Sequence, residues 1–159
     1  MSMSDTCLIL DNIRSTHNVG SIFRTAETLA ITKIYCVGTT PAPIDRFGRK
    51  RADIAKVSLG AEEIIPWEHV DDGSVLIKKL HKAGYTIVAL EQHEHSVDYK
   101  TFCPEGKAAI ILGNEVGGVS PALLELADTI MEIPMKGTKE SLNVSVAAGI
   151  ALYRLLDVD

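Results

Sequence analysis

The chain has 159 residues, of which 46% are hydrophobic and 23% charged, and these proportions exclude an intrinsically disordered chain. Its formal net charge of -5 excludes a broad attraction to polyanions, so contact with a nucleic acid would need a local basic patch. The three separated cysteines, Cys7, Cys36 and Cys103, are typical of reduced thiols in a core. Because no export signal or run of about 20 apolar residues is present, we expect one cytoplasmic domain over residues 1–159.

Short apolar runs alternate with helical patterns along the chain. The runs predict strands at residues 6–10, 33–38, 62–66, 85–90, 108–112 and 129–133. Helical spacing predicts helices at residues 17–30, at 74–84, from Ser120 and Pro121 onwards, and at 141–156. The last of these is apolar nearly all round, which predicts burial. Such alternation predicts an α/β fold with a mostly parallel sheet flanked by helices.

Three glycines, an amide and a carboxylate follow the fifth predicted strand, in the sequence ILGNEVGGVSP. Ligands of parallel sheets lie beyond the carboxyl ends of the strands, and Gly113, Gly117 and Gly118 would let the backbone approach a ligand closely. Phosphate-binding loops differ, because Glu115 would repel a pyrophosphate. The segment favours a nucleotide-like ligand that is cationic or carries hydroxyl groups. A tight turn with a solvated Glu115 is the alternative.

A second candidate segment follows the sixth predicted strand, in the sequence IPMKGTKESLNVSVAAG. Ser141, Asn143 and Ser145 stand at the entry of an apolar helix, where capping of free backbone N–H groups explains one of them. We expect Asn143 and Ser145 to face inward, where polar side chains need partners. This pattern favours a binding site over capping alone.

The third candidate segment, NIRSTHNVGSIFRTAE, follows the first predicted strand. Asn18 lies near a helix start, Gly20 permits close packing, and Arg24 stands about one and a half turns further on, among apolar neighbours. An arginine on such a face needs an anion or a functional role. The alternative is a solvated ion pair with Glu27, which contributes roughly a few tenths of a kcal/mol.

The long connection at residues 39–62 is rich in proline and basic side chains, and connections of this length are usually functional or mobile. Two acids, Asp45 and Asp53, stand against a larger set of basic residues that could bind phosphates. This set consists of Arg46, Arg49, Lys50, Arg51 and Lys56. A solvated surface is the alternative.

Two histidines, His93 and His95, lie next to acidic residues and invite comparison with a metal site. Their spacing puts both on one face of a strand, but no third ligand follows. We therefore expect no metal.

Together, the three candidate segments resemble the motifs of the SPOUT superfamily, specifically the SpoU or TrmH type of RNA ribose 2'-O-methyltransferase. The first motif, NxGxxxRTAE, begins at Asn18, and the second, ILGNE followed by glycine, begins at Ile111. The third, IPMxG followed by SLNVSVAAG, begins at Ile133. The resemblance covers nearly the whole chain, and the three motifs stand in the family's order.

This resemblance implies an α/β fold with a C-terminal deep trefoil knot, whose loops bind S-adenosylmethionine largely through backbone groups. It places six residues around the cofactor: Leu90, Gly113, Ile133, Met135, Ser141 and Leu142. It also implies a homodimer in which the knot regions pack together and the active sites lie close to the interface.

The resemblance makes Arg24 the leading catalytic candidate, with Asn18, Glu115 and Asn143 positioning it or the substrate. Free arginine has a pKa above about 12, which makes it a poor base. We therefore expect Arg24 to orient the 2'-hydroxyl and stabilise the developing alkoxide. By the same resemblance, the five basic residues of the long connection become candidates for RNA binding.

We therefore expect methylation of a ribose 2'-hydroxyl in structured RNA, with tRNA slightly favoured over rRNA and without a DNA or membrane partner. Two alternatives remain: an inactive RNA-binding protein of the same fold, and a base-methylating enzyme of the superfamily. The complete set of site residues weighs against the first, and Arg24 against the second. Many relatives carry a separate RNA-binding domain, whereas we expect the catalytic domain alone here.

Overall fold

The computed structural model describes residues 5–156, which form a seven-stranded sheet with helices on both faces. The elements are β1 (Asp5–Asp11), α1 (Thr16–Thr28), β2 (Lys33–Val37), α2 (Ala52–Ser58), α3 (Ala61–Ile64), β3 (Trp67–Val70), α4 (Gly73–Lys82), β4 (Thr86–Leu90), β5 (Val97–Asp98), β6 (Lys107–Leu112), α5 (Pro121–Leu126), β7 (Thr129–Glu132) and α6 (Val144–Leu155). The strands are ordered β3-β2-β1-β6-β4-β7-β5, and each neighbouring pair is parallel. The predicted α/β class with a parallel sheet is confirmed. No helix of residues 5–156 has the length and apolar character needed to cross a membrane.

The central strands send alternate side chains into two apolar cores, one on each face of the sheet. In β6, Ala108, Ile110 and Leu112 join the core formed with α1, α2 and α6. Ala109 and Ile111 point to the other core, formed with α4 and α5. Because both faces are covered, the strands read as continuous apolar runs in the sequence.

The predicted strand at residues 62–66 is wrong, because the chain forms α3 there and β3 begins only afterwards. Gly60 starts this short helix with a left-handed φ of 92°, and Ile65 returns to extended backbone before Pro66. Ala61 and Ile65 are buried four residues apart, a helical spacing. The run was too short for its periodicity to decide between a helix and a strand.

The long connection between β2 and β3 is more ordered than its composition predicts, since it contains α2 and α3. The helix α2 packs closely on α1 at Gly20. A Cβ atom at Gly20 would lie 2.8 Å from Cβ of Val57 and 2.9 Å from the carbonyl oxygen of Ile54. Gly20 thus permits the close packing that the sequence predicts, and Lys56 lies on a helix rather than in a loop.

The last helix, α6, begins at Val144 and is less buried than predicted. Val146, Ile150 and Tyr153 are 50%, 39% and 41% exposed, and their spacing places them along one stripe of the helix. The buried face consists of Ala148, Ala151, Leu152 and Leu155. The helix α6 is apolar nearly all round because it has two apolar faces. One face is buried in the core, and the other is exposed to solvent in a single copy of the chain.

The three cysteines divide into two buried residues and an exposed one. Burial raises the pKa of Cys7 and of Cys36 to about 12, so both remain thiols at neutral pH. Cys103 is exposed, and the prediction that every cysteine fills the core is wrong for this residue.

Candidate functional site

A cleft of about 190 Å³ opens at the carboxyl edge of the sheet, where β4, β6 and β7 end. Ligands of parallel α/β sheets commonly bind at this edge. Three chain segments line the cleft, the first two following β4 and β6 and the third joining β7 to α6. The lining residues are Leu90, Glu91, Gln92, Leu112, Gly113, Asn114, Glu115, Gly118, Glu132, Ile133, Met135, Ser141, Leu142, Asn143, Val144 and Ala147.

The structure brings together all six residues predicted to surround a cofactor. Leu90, Gly113, Ile133, Met135, Ser141 and Leu142 line the same cleft, although they come from three separate segments. The strand order causes this, because β4 lies between β6 and β7 and Leu90 is in register with both Leu112 and Met131. Their role in binding a cofactor stays a prediction.

Gly113 stands where two stretches of backbone meet beside the cleft. A Cβ atom at this position would lie 2.3 Å from both the carbonyl carbon of Gly118 and the nitrogen of Val119. Asn114 and Gly118 exchange two backbone hydrogen bonds of 2.9 Å, which close residues 114–118 into a tight loop. Any side chain at position 113 would force this backbone to move.

Side-chain hydrogen bonds hold this loop and nearby Ser120 in place. Nδ2 of Asn114 donates to the carbonyl oxygen of Asn12 at 2.6 Å, and Oδ1 of Asn114 accepts from the backbone N–H of Val116 at 2.9 Å. The buried carboxylate of Asp11 accepts from the N–H of Ser120 at 2.8 Å. The loop is therefore fixed by the chain itself.

Glu91 lines the cleft but is absent from the predicted site residues. Its carboxylate accepts from the N–H of Val119 at 2.7 Å and from the N–H of Gln92 at 2.9 Å, which joins the segments after β4 and β6. Gly118 has a φ of 70°, and a Cβ atom there would lie 1.9 Å from Oε2 of Glu91. In the sequence, the feature that could have identified Glu91 is the position of this acidic residue directly after a buried strand.

Glu115 reaches from the cleft to the start of α1. Its Oε1 accepts from Nδ2 of Asn18 at 3.3 Å and from the N–H of Ser15 at 3.2 Å. Partial burial raises the pKa of Glu115, but hydrogen bonds from its own backbone, from Asn18, from Ser15 and from Arg14 outweigh this effect and lower the pKa overall. The carboxylate is therefore ionised near the positive end of a helix, in contact with the predicted partner Asn18.

Asn143 also lines the cleft, and it caps α6. Its Oδ1 accepts from the N–H of Ser145 at 2.9 Å and from the hydroxyl of Ser145 at 2.6 Å. Asn143 is exposed, so the prediction that it faces inward among apolar residues is wrong. Capping of α6 accounts for the hydrogen bonds of both Asn143 and Ser145. Asn143 remains a candidate site residue because it lines the cleft.

Arg24 does not line the cleft. It lies on α1 about 9 Å along the axis from Asn18 and roughly 120° around it. Arg24 is exposed rather than surrounded by apolar residues as predicted, because the buried face of α1 runs through Ile22, Phe23 and Ala26. Within residues 5–156 it makes no hydrogen bond or ion pair, so the alternative pair with Glu27 is also absent.

Three of the five predicted RNA-binding residues are paired with carboxylates. The pairs are Arg49 with Asp45 (3.1 Å), Lys50 with Glu63 (2.7 Å) and Arg51 with Asp53 (3.4 Å). The Lys50–Glu63 pair is exposed on both sides, and exposed pairs contribute about 0–1 kcal/mol, so an RNA phosphate could replace this carboxylate at little cost. Arg46 and Lys56 make no ion pair with any residue that the structure describes.

The basic segment lies beside the start of α1. Burial raises the pKa of the Asp53 carboxyl, but its partner Arg51 and the side chain of Thr16 are among the neighbours that lower it overall. Thr16 is the first residue of α1, two positions before Asn18. Arg51 directly precedes α2, which packs on α1 at Gly20, so this basic residue lies near the helix that carries Asn18.

His93 and His95 lie close together, with ring centroids 5.4 Å apart. Nδ1 of His93 accepts from the backbone N–H of His95 at 3.1 Å, which is a local turn contact. In residues 5–156, no group of three or more His, Cys, Asp and Glu side chains is placed to hold a metal ion.

The parallel sheet and the cleft at its carboxyl edge define an α/β protein of the class that binds a ligand where the strands end. The model of the SpoU rRNA Methylase family matches residues 5–153, and the chain belongs to this family. The resemblance identified from the three motifs is thereby confirmed.

Curated relatives of the chain include enzymes named for rRNA and for tRNA. The 23S rRNA (guanosine-2'-O-)-methyltransferase RlmB of Neisseria meningitidis serogroup B is 34% identical over 145 residues, which cover 91% of this chain and 55% of the relative. The tRNA (guanosine(18)-2'-O)-methyltransferase of Aquifex aeolicus is 31% identical over 149 residues, which cover 94% of this chain and 67% of the relative. The chain thus spans little more than half of the first relative's length.

Solved structures share the fold over nearly the whole chain. The AdoMet-bound rRNA methyltransferase of Sinorhizobium meliloti matches with a TM-score of 0.86 and 29% identity, covering 96% of this chain and 56% of that protein. The TrmH/SpoU tRNA modifying enzyme of A. aeolicus matches with a TM-score of 0.85 and 28% identity, covering 98% of this chain and 76% of that protein.

Proposed function

We propose that the protein transfers the methyl group of S-adenosylmethionine to a ribose 2'-hydroxyl of structured RNA. The cleft carries this proposal, because the six residues that the family resemblance assigns to the cofactor converge there from three segments. The names of the relatives support the reaction, and the AdoMet-bound state of one matched structure supports the cofactor. Since the relatives act on rRNA or on tRNA, the preference for tRNA stays a prediction.

The residues of the cleft fit the chemistry of S-adenosylmethionine. Leu90 and Ile133 offer apolar surface to an adenine ring. Two carboxylates, Glu91 and Glu132, favour a ligand with positively charged sulfonium and ammonium groups. Once bound, the cofactor supplies an electrophilic methyl group. Ser141 and the backbone at Gly113 would hold its polar groups.

The Asn18–Glu115 pair is proposed as the substrate side of the site. Methyl transfer needs the ribose oxygen in line with the methyl group, and it needs stabilisation of the charge that develops on that oxygen. The ionised Glu115 can accept a hydrogen bond from a ribose hydroxyl, and Asn18 and Asn143 can orient it. Arg24 lies outside the cleft of its own chain, so Arg24 of a second copy would supply the positive charge that stabilises the developing alkoxide.

We also infer a homodimer formed through the stripe Val146, Ile150 and Tyr153 on α6. Burial of these partly exposed apolar side chains against a second copy would contribute about 1 kcal/mol or more for each. The hydroxyl of Tyr153 donates to Oγ1 of Thr28 at 3.1 Å, so the stripe lies beside the end of α1 that carries Arg24. A partner that covers the stripe would therefore approach Arg24, which has no place in the cleft of its own chain.

A C-terminal trefoil knot is part of the same proposal. The segment between β7 and α6 starts beside β4 and must return across the sheet, because α6 packs against α1 on the other side of β6. On this path it shares the cleft with the loop after β6. A crystal structure that traces residues 133–143 outside that loop, leaving the chain unknotted, would contradict the knot.

Two measurements test the proposed function. Calorimetry of the purified protein with S-adenosylmethionine measures cofactor binding, and tritium transfer from labelled cofactor to RNA of a deletion strain measures catalysis. A 2'-O-methyl group protects the adjacent phosphodiester from alkali, so we expect the label in alkali-resistant dinucleotides. RNA from the parent strain is the control, since its sites are already methylated.

The alternatives predict different results in the same assays. Label in mononucleotides after alkali would indicate base methylation. RNA binding without transfer would indicate an inactive RNA-binding protein. Absence of cofactor binding would overturn the proposal.

A further inference from the structure

An exposed aromatic ring stands at the tip of the turn formed by residues 44–50. Of the chain's three phenylalanines, Phe23 is buried and Phe102 partly buried, whereas Phe47 is 66% exposed. Leaving such a large apolar ring in water brings no gain in packing. The turn therefore presents Phe47 to solvent, outside both apolar cores of residues 5–156.

The backbone of this turn is fixed. Ile44 and Lys50 form an antiparallel bridge at its base, and Asp45 donates its N–H to the carbonyl oxygen of Arg49 at 2.8 Å. Oδ1 of Asp45 accepts from the N–H groups of Phe47 at 2.8 Å and Arg49 at 3.0 Å. The ring is thus held outward by a turn whose polar groups are satisfied.

Two guanidinium groups flank the ring. Cζ of Arg46 lies 4.9 Å from the ring centroid of Phe47, and Cζ of Arg49 lies 5.0 Å from it. Asp45 also binds Nε of Arg49 at 3.1 Å, whereas Arg46 makes no hydrogen bond or ion pair within the described chain. The tip of the turn combines a flat apolar surface with positive charge.

We propose that Phe47, with Arg46 and Arg49, is a stacking site for an unpaired base of the RNA substrate. A guanidinium group that turns from the ring to a phosphate of the RNA strand uncovers a π face on which a base of the same strand can stack, so one nucleotide satisfies both features. This inference rests on the proposed function. The position agrees with it, because the turn leads into Arg51 at the start of α2, and α2 packs on α1 at Gly20, two residues after Asn18.

Fluorescence anisotropy with two RNA probes tests the site. The first probe is a fluorescein-labelled hairpin with a ten-base-pair stem and a seven-nucleotide loop, and the second is the same stem as a blunt duplex. We expect Phe47→Ala and Phe47→Leu to weaken hairpin binding by about 5- to 100-fold, with Phe47→Tyr close to wild type. The duplex should bind equally well to all four proteins.

Salt dependence separates stacking from charge. Phe47→Ala removes no charge, so the slope of log affinity against log salt should stay unchanged, whereas Arg46→Gln should reduce it by about one. Thermal unfolding serves as the folding control, since Phe47 lies on the surface.

Three results would overturn the stacking site: unchanged hairpin binding by Phe47→Ala, an equal loss on the duplex, or no binding of the hairpin by the wild type. Tritium transfer into cellular RNA reports the proposed function independently. Wild-type transfer by Phe47→Ala with unchanged hairpin binding would leave the methyltransferase proposal standing without the stacking site. Absence of transfer by the wild-type protein would count against the methyltransferase itself.

Discussion

The cleft at the ends of β4, β6 and β7 is held by hydrogen bonds within one chain, whereas the surface formed by α1, α6 and the turn at residues 44–50 leaves functional groups in solvent. Glu91 and Asn114 tie the cleft loop to its neighbours through contacts of 2.6 to 2.9 Å. Arg24 and Ile150 lie exposed on the other surface. This is the difference we expect if, as proposed, the cofactor site is preorganised in each chain and the substrate site is completed by RNA and a second copy.

If this comparison is right, Arg24→Ala should stop methyl transfer while leaving cofactor binding intact. Because Arg24 lies outside the cleft and is proposed to supply charge to the reaction, we expect transfer to fall by about 100- to 1,000-fold. Single-turnover tritium transfer measures the rate, and calorimetry measures the affinity for S-adenosylmethionine. Glu27→Ala, an exposed change on the same helix, is the control. Wild-type turnover by Arg24→Ala would remove its catalytic role.

The exposed stripe should behave as an interface. Ile150→Glu places a charge in that interface from each copy, which we expect to weaken dimerisation by about 2–4 kcal/mol, or roughly 30- to 1,000-fold. Sedimentation equilibrium measures the dissociation constant. Ile64→Glu is the matched control, because Ile64 is 65% exposed on α3. A monomeric wild-type protein, or equal dimerisation by both variants, would contradict the proposed dimer.

A change in the backbone of the cleft should instead affect cofactor binding. Gly113→Ala puts a methyl group 2.3 Å from the backbone of Gly118 and Val119, so the loop must shift. We expect affinity for S-adenosylmethionine to fall by about 10- to 100-fold. Gly137→Ala is the control, because a Cβ atom there meets nothing within 4 Å. Equal affinity in both variants, measured by calorimetry, would show that the loop geometry does not determine binding.

The smallest expected effect is the pH dependence of the Glu115 contact, which links the two surfaces. The pKa of Glu115 in the folded protein lies below its usual 4.5, so the ionised group stabilises the fold above that pH and loses this effect as pH falls through the folded pKa. Wild type and Glu115→Gln should therefore differ by a constant amount at pH 5.5 to 7, and the difference should shrink as pH falls below 4.5.

Urea unfolding at each pH measures this difference. Glu125→Gln, at an exposed glutamate of α5, is the control. A difference in unfolding free energy between wild type and Glu115→Gln that persists unchanged to pH 3.5 would contradict the stabilising role of ionised Glu115.

The sequence predicted the sheet well, because strands covered on both faces produce continuous apolar runs such as residues 108–112. It could not predict the strand order, since pairing of β4 with both β6 and β7 depends on contacts between distant segments. Residues 62–66 show a local limit: a five-residue apolar run fits a helix turn as well as a strand.

The site was predicted mainly by resemblance to the family rather than by the residues alone. Spacing suggested that the segments around Gly113 and Ser141 bind a ligand, and the structure shows that they share a cleft. The role of Glu91 could not be predicted from the sequence because its two contacts are with backbone N–H groups, one of them in a distant segment. Asn143 was misplaced because its capping bonds satisfy it at the surface.

Asn12 connects the two surfaces. Its carbonyl oxygen accepts from Asn114 of the cleft loop at 2.6 Å, while its Oδ1 accepts from the N–H of Thr39, where the connection toward the basic turn begins, at 2.9 Å. A shift of the cleft loop would therefore move the segment at Thr39, and the reverse, because both are hydrogen-bonded to Asn12. Thermodynamic linkage then requires reciprocity. If bound cofactor changes the affinity for RNA by some factor, bound RNA changes the affinity for the cofactor by the same factor.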